Sequence, residues 1–96
     1  MTLDRAFRVS HNLDVPEAKR KFWPHWAIVL VAPDGSIPDV IQQFEQPSEE
    51  ISVAAHKLYP HHVSFVVRAG ESFLTLDAFK KHVAETAELA QKVFRK

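Results

Sequence analysis

Apolar positions along this chain change their spacing several times, and each change predicts an element. Residues 5–11 alternate, with Arg5, Phe7, Val9 and His11 on one side and Ala6, Arg8 and Ser10 on the other. A period of two with only Phe7 and Val9 clearly apolar on its richer side predicts a half-buried edge strand. Asn12–Pro16 reads as a loop. Pro16 then opens a short helix that runs through Phe22, since a proline there loses no hydrogen bond. Trp23 precedes Pro24 and is pushed out of helical geometry, which ends that helix.

Trp26–Val31 is apolar on both faces and rich in branched residues, the pattern of a central strand. Pro33-Asp34-Gly35-Ser36 supplies a preset φ, a side chain that bonds its own backbone and a glycine for positive φ, hence a tight turn. Over residues 37–46, Ile37, Val40, Ile41 and Phe44 also fit helical spacing. The preceding turn favours a hairpin and Pro47 closes the segment, so it is read as a returning edge strand, where Pro38 need not donate.

Pro47-Ser48-Glu49-Glu50 starts a helix over 47–59 with a capping hydroxyl and acids at its positive end. Ile51, Ala54, Ala55 and Leu58 form its expected buried stripe, and Pro60 stops it. His62–Val67 is a further strand with Val63, Phe65 and Val67 facing one way. Arg68–Glu71 turns the chain, and Ser72-Phe73-Leu74 pairs back briefly. A last helix over 75–95 is capped by Thr75 and carries Leu76, Phe79, Val83, Ala87, Ala90 and Val93 at helical spacing. Lys92, Arg95 and Lys96 sit at its negative end. These elements predict an α+β fold in a single domain over residues 1–96. Its sheet is antiparallel or mixed with four to five short strands, and helices 47–59 and 75–95 pack on one face.

Part of the chain is echoed 36 positions later: Ala18-Lys19-Arg20-Lys21-Phe22-Trp23-Pro24-His25 against Ala54-Ala55-His56-Lys57-Leu58-Tyr59-Pro60-His61. An apolar run follows each Pro-His, and a turn with Ser36 or Ser72 follows each run. The echo predicts two like corners that each start a central strand.

Composition narrows the chemistry. Net charge is zero, which argues against nucleic acid as a partner. Charge is nonetheless uneven, since residues 25–61 hold five acids and Lys57 as their only base, while both flanks are basic. Such a distribution favours self-association or docking of a charged partner. Two glycines, both in turns, leave no phosphate-cradling loop. Without cysteine there is no disulfide, thiolate nucleophile or Cys-based zinc site. The start of the chain lacks a signal pattern, and the longest apolar run, Trp26–Pro33, is too short to cross a bilayer, so a cytoplasmic protein with no membrane partner is expected.

Six histidines are the compositional oddity: His11, His25, His56, His61, His62 and His82. Metal binding needs three or four converging ligands, and no His-x-x-x-His motif occurs. The metal candidates are His25, His61 and His62, which converge only if the two corners meet at one end of the sheet. No strained serine elbow is present, and Asp34, Glu49 and Glu50 have structural roles, so the case for an enzyme is weak and no cofactor is implied. Trp23, Trp26, Lys19 and Arg20 form a basic-aromatic cluster suited to stacking or to a protein interface, although core packing accounts for Trp26 and the Pro24 corner for Trp23.

The expected function is therefore a non-enzymatic protein–protein interaction module, self-associating as a homodimer. Its contact would be edge strand 5–11, edge strand 37–46 or the apolar side of the last helix. The alternative is a small-ligand or metal-binding protein with its site at the His25/His61 end of the sheet. RNA binding through Lys19–Trp26 is a third and weaker reading.

Overall fold

The computed structural model describes residues 1–94. Its first element overturns the expected edge strand: Leu3–Ser10 is an α-helix, α1. Leu3, Ala6, Phe7 and Ser10 recur at i, i+3, i+4 and i+7, and Ala6 and Ser10 are buried. Thr2 caps the start by accepting from the Arg5 amide at 3.1 Å. At the other end Leu13 N–H donates to Arg8 O at 2.9 Å and Asn12 N–H to Val9 O at 3.2 Å, with Asn12 left-handed at φ 57°. That paired closure is a Schellman motif, and asparagine tolerates its left-handed residue better than other side chains do. Alternation of Phe7 and Val9 suggested a strand, but these capping signals at both ends decide for the helix.

A 3-10 helix follows at Glu17–Phe22, where the short helix was expected. The sheet has three strands, β1 (Trp26–Val31), β2 (Val40–Gln43) and β3 (Val63–Arg68), in the order β2-β1-β3 and antiparallel throughout. This corrects the expected four to five strands. One missing strand is α1, and Ser72–Leu74 forms no strand because Phe73 at φ 50° breaks the extended run. The β1–β2 hairpin is closed as the turn chemistry predicts. Gly35 takes φ 86°, Asp34 accepts from the Ser36 amide at 2.9 Å, and the Ala32 amide donates to Ser36 O at 2.9 Å.

β1 is central and fully buried from Ala27 to Val31. Ala27, Val29 and Val31 face α1 and α3 (Leu76–Phe94). Phe79 of α3 meets the rings of Phe7 and Phe65 at centroid distances of 5.6 and 5.9 Å, which ties α1, β3 and α3 into one core. Ile28 and Leu30 point to the other face. There α2 (Glu49–Leu58) sits, with His56 Nε2 3.1 Å from Ser64 Oγ, and Ser64 is paired opposite Leu30. Tyr59 Oη also donates to Asp39 Oδ2 at 3.1 Å. The two long helices therefore lie on opposite faces, not on one as expected. α1 occupies the place beside α3 that the second helix would need.

α2 uses its apolar stripe differently from the expectation. Only Ala55 of the four stripe residues is buried, while Ile51, Ala54 and Leu58 are exposed. The polar anchors His56 and Tyr59 rotate the helix so that Ser52, Ala55, His56 and Tyr59 face the sheet. On α3 the expected stripe is buried at Phe79, Val83, Ala87 and Ala90, joined by Thr86, whereas Val93 is exposed. Arg95 and Lys96, expected at the helix end, lie outside the described residues. No helix among the described residues is long and apolar enough to cross a membrane.

Candidate functional site

Sheet direction decides where the histidines lie. β1 and β3 are antiparallel, with Trp26 opposite Arg68 and Val31 opposite Val63. His25 precedes Trp26 and His61 and His62 precede Val63, so the two Pro-His corners are at opposite ends of the sheet. The corners also differ in backbone, since His61 is left-handed at φ 66° and His25 is not. His61 packs edge-on to Phe94 at 5.2 Å, and His62 Nδ1 lies 2.9 Å from Pro60 O. His82 sits against Phe73 at 4.3 Å and Phe65 at 4.5 Å. Among the described residues no group of three or more His, Asp or Glu side chains is placed to hold a metal ion.

The basic-aromatic cluster is divided as well. Trp26 is half-buried on the α2 face of the sheet, beneath an Arg68 guanidinium 5.3 Å from its ring. Trp23 is 45% exposed and Phe22 66% exposed, with Lys21 Nζ 5.1 Å over the Phe22 ring. Neither tryptophan is thus a core residue. Lys19 points to solvent, and Arg20 turns inward.

What the fold does assemble is a cleft of about 460 Å³ at the His25 end of the sheet. Phe7 and His11 from α1 and Asn12 and Leu13 from its closing turn form one wall. Glu17 and Arg20 from the 3-10 helix and His25 form the second, and Ala69, Gly70 and Leu74 after β3 form the third. Asn12 joins the first two walls. Its Nδ2 donates to Pro24 O at 2.7 Å, its Oδ1 accepts from Gln42 Nε2 at 2.7 Å, and its carbonyl accepts from Arg20 Nε at 3.1 Å. Arg20 Nε also donates to Val15 O at 3.0 Å, which fixes the guanidinium at the cleft.

His11 is 7% exposed, and its Nδ1 accepts from the Gly70 amide at 3.4 Å. The acceptor role of Nδ1 assigns the proton to Nε2, which is buried with no hydrogen-bond partner. Burial holds the His11 pKa below the ordinary imidazole value and outweighs the opposite pull of the Phe73 backbone. In the unfolded chain His11 titrates at about 6.5. Below that pH the unfolded chain binds the extra proton first, so stability present above pH 6.5 is lost as pH falls through the lower folded value. The urea midpoint is accordingly expected to drop between about pH 7.5 and about pH 5.5, and His11→Gln is expected to flatten part of that drop. An identical pH profile for His11→Gln would show that His11 is not a source of the acid sensitivity.

His11, Asn12 and Glu17 were not legible as site residues. The Asn at the end of a capped helical pattern was the one available signal, because it marks a left-handed closing residue. No family model, curated protein or solved structure matches the chain.

Proposed function

We propose that the protein is a non-enzymatic protein–protein interaction module that acts as a homodimer through the outer face of α2. The supporting observation is the makeup of that face. Glu49 and Glu50 at its start, Val53 and Ala54 at its middle and Lys57 at its end line an open trough of about 410 Å³. Val53 is 49% exposed and the neighbouring Leu58 is 73% exposed. A twofold axis between Val53 and Ala54 sets Glu50 of one copy against Lys57 of the other and brings the small apolar centre onto itself. Antiparallel helix dipoles are favourable in the same arrangement.

Exposed ion pairs contribute only about 0.2–1 kcal/mol each, so the charges set orientation while apolar contact provides the affinity. One short helix face covers less than the roughly 800 Å² per partner of a standard interface, which favours a dissociation constant of about micromolar order. The other expected contacts are poorer. Segment 5–11 is helical, β2 is four residues long, and the apolar side of α3 is largely spent on the sheet and α1. The reading includes a cytoplasmic location, with which a chain lacking cysteine is compatible.

Sedimentation over a concentration series tests the proposal. A reversible monomer–dimer equilibrium is expected, with Val53→Glu monomeric throughout and Lys57→Glu weakened by about tenfold. The double change Glu50→Lys with Lys57→Glu restores the dimer, because it re-forms the pair with reversed sign. A strict monomer at high concentration, or a double variant no better than Lys57→Glu alone, would sink the α2 dimer.

A further inference from the structure

The cleft at the His25 end shares no residue with the α2 face, and its charges are arranged in an unusual way. Glu17 and Arg20 are three residues apart on a 3-10 helix, where side chains at i and i+3 eclipse. Both line the cleft, yet no ion pair within 4.0 Å joins them; the ion pairs among the described residues are elsewhere. Arg20 is held by its Nε on two backbone carbonyls, and its terminal nitrogens donate to no protein acceptor among the described residues. A guanidinium anchored in this way offers a preset fork for a carboxylate. Phe7, Leu13 and Leu74 give the remaining surface an apolar character.

We propose that this cleft binds a free apolar α-amino acid. Its carboxylate lies on the Arg20 guanidinium, its ammonium on the Glu17 carboxylate and its side chain against Phe7, Leu13 and Leu74. A zwitterion answers both unpaired charges at once, whereas a simple carboxylate leaves Glu17 facing an anion. A phosphate group meets the same repulsion with its higher charge, and Gly70 alone provides no nest of backbone amides. A volume of about 460 Å³ falls within the usual range for small-molecule sites, about 300–1,000 Å³.

Three isosteric probes separate the parts: L-leucine, 4-methylpentanoate without the ammonium, and isoamylamine without the carboxylate. Titration is followed by amide NMR shifts of Leu13, Arg20 and Gly70. Leucine is expected to give saturable shifts at millimolar concentration, with each analogue weaker by about tenfold. Glu17→Gln, at an exposed position, is expected to lower leucine affinity to that of 4-methylpentanoate. Leu74→Glu, also exposed, is expected to weaken leucine and 4-methylpentanoate together while preserving the fold, which avoids reliance on an Arg20 variant. Equal binding of leucine and 4-methylpentanoate, indifference of leucine to Glu17→Gln, or no saturable shift with any probe would each overturn the assignment. None of these outcomes bears on the α2 dimer.

Discussion

Phe79→Ala is expected to remove about 3–5 kcal/mol of folding stability. Phe79 is fully buried, and its ring is the point where α1, β3 and α3 meet through Phe7 and Phe65. Alanine deletes the ring and leaves a cavity that three elements would have to move to fill. A domain of this size has roughly 5–15 kcal/mol in total, so the urea midpoint should fall by at least about a fifth. Phe79→Leu, which keeps most of the volume, is expected to cost less than about half as much. Val93→Ala on the exposed side of the same helix should stay within about 0.5 kcal/mol. If Phe79→Ala cost no more than Val93→Ala, α3 would not be packed as described.

Asn12→Asp is expected to cost about 2–4 kcal/mol although it changes a single atom type. The side chain is buried, and its Nδ2 donates to Pro24 O at 2.7 Å. Aspartate replaces that donor with an acceptor, so two oxygens oppose each other and a negative charge loses its hydration. The introduced carboxylate is driven to its protonated form, which makes the loss smaller in acid and larger at neutral pH. Asn12→Gly and Asn12→Ala both lose the side-chain bonds, but only glycine keeps the left-handed backbone at no steric cost. Asn12→Ala should therefore be less stable than Asn12→Gly by about 1 kcal/mol, in urea unfolding at neutral pH. The reverse order would mean that the closing turn of α1 contributes nothing.

Asn12 also shows why the cleft could not be read along the chain. Its partners Pro24, Gln42 and Arg20 lie 12, 30 and 8 residues away, and no spacing rule links them. Along the chain Glu17 and Arg20 are two charges on a short helix, and Arg20 groups with Trp23, Trp26 and Lys19 in one cluster. The fold sent those four side chains in different directions. His25 stands before the start of β1 and lines a cleft, but with His11 in place of His61.

Local chemistry alone determined the elements whose signals are contained within a few residues. These are central strand β1 from its unbroken branched run, the Asp34-Gly35-Ser36 turn, β2 as the strand returning from it, and the caps of α2 and α3 at Ser48 and Thr75. Residues 5–11 read as a strand because seven residues can satisfy two periods at once; the caps at Thr2 and Asn12 decide for the helical one, and contact with Phe79 supports it. Tertiary structure alone decided which face α2 covers, how far that helix is rotated, and that the repeated Pro-His corners lie at opposite ends of the sheet. The reason is physical: strand direction and helix rotation are set by contacts between distant segments. Two segments with like sequences start like strands, but antiparallel pairing carries their first residues apart.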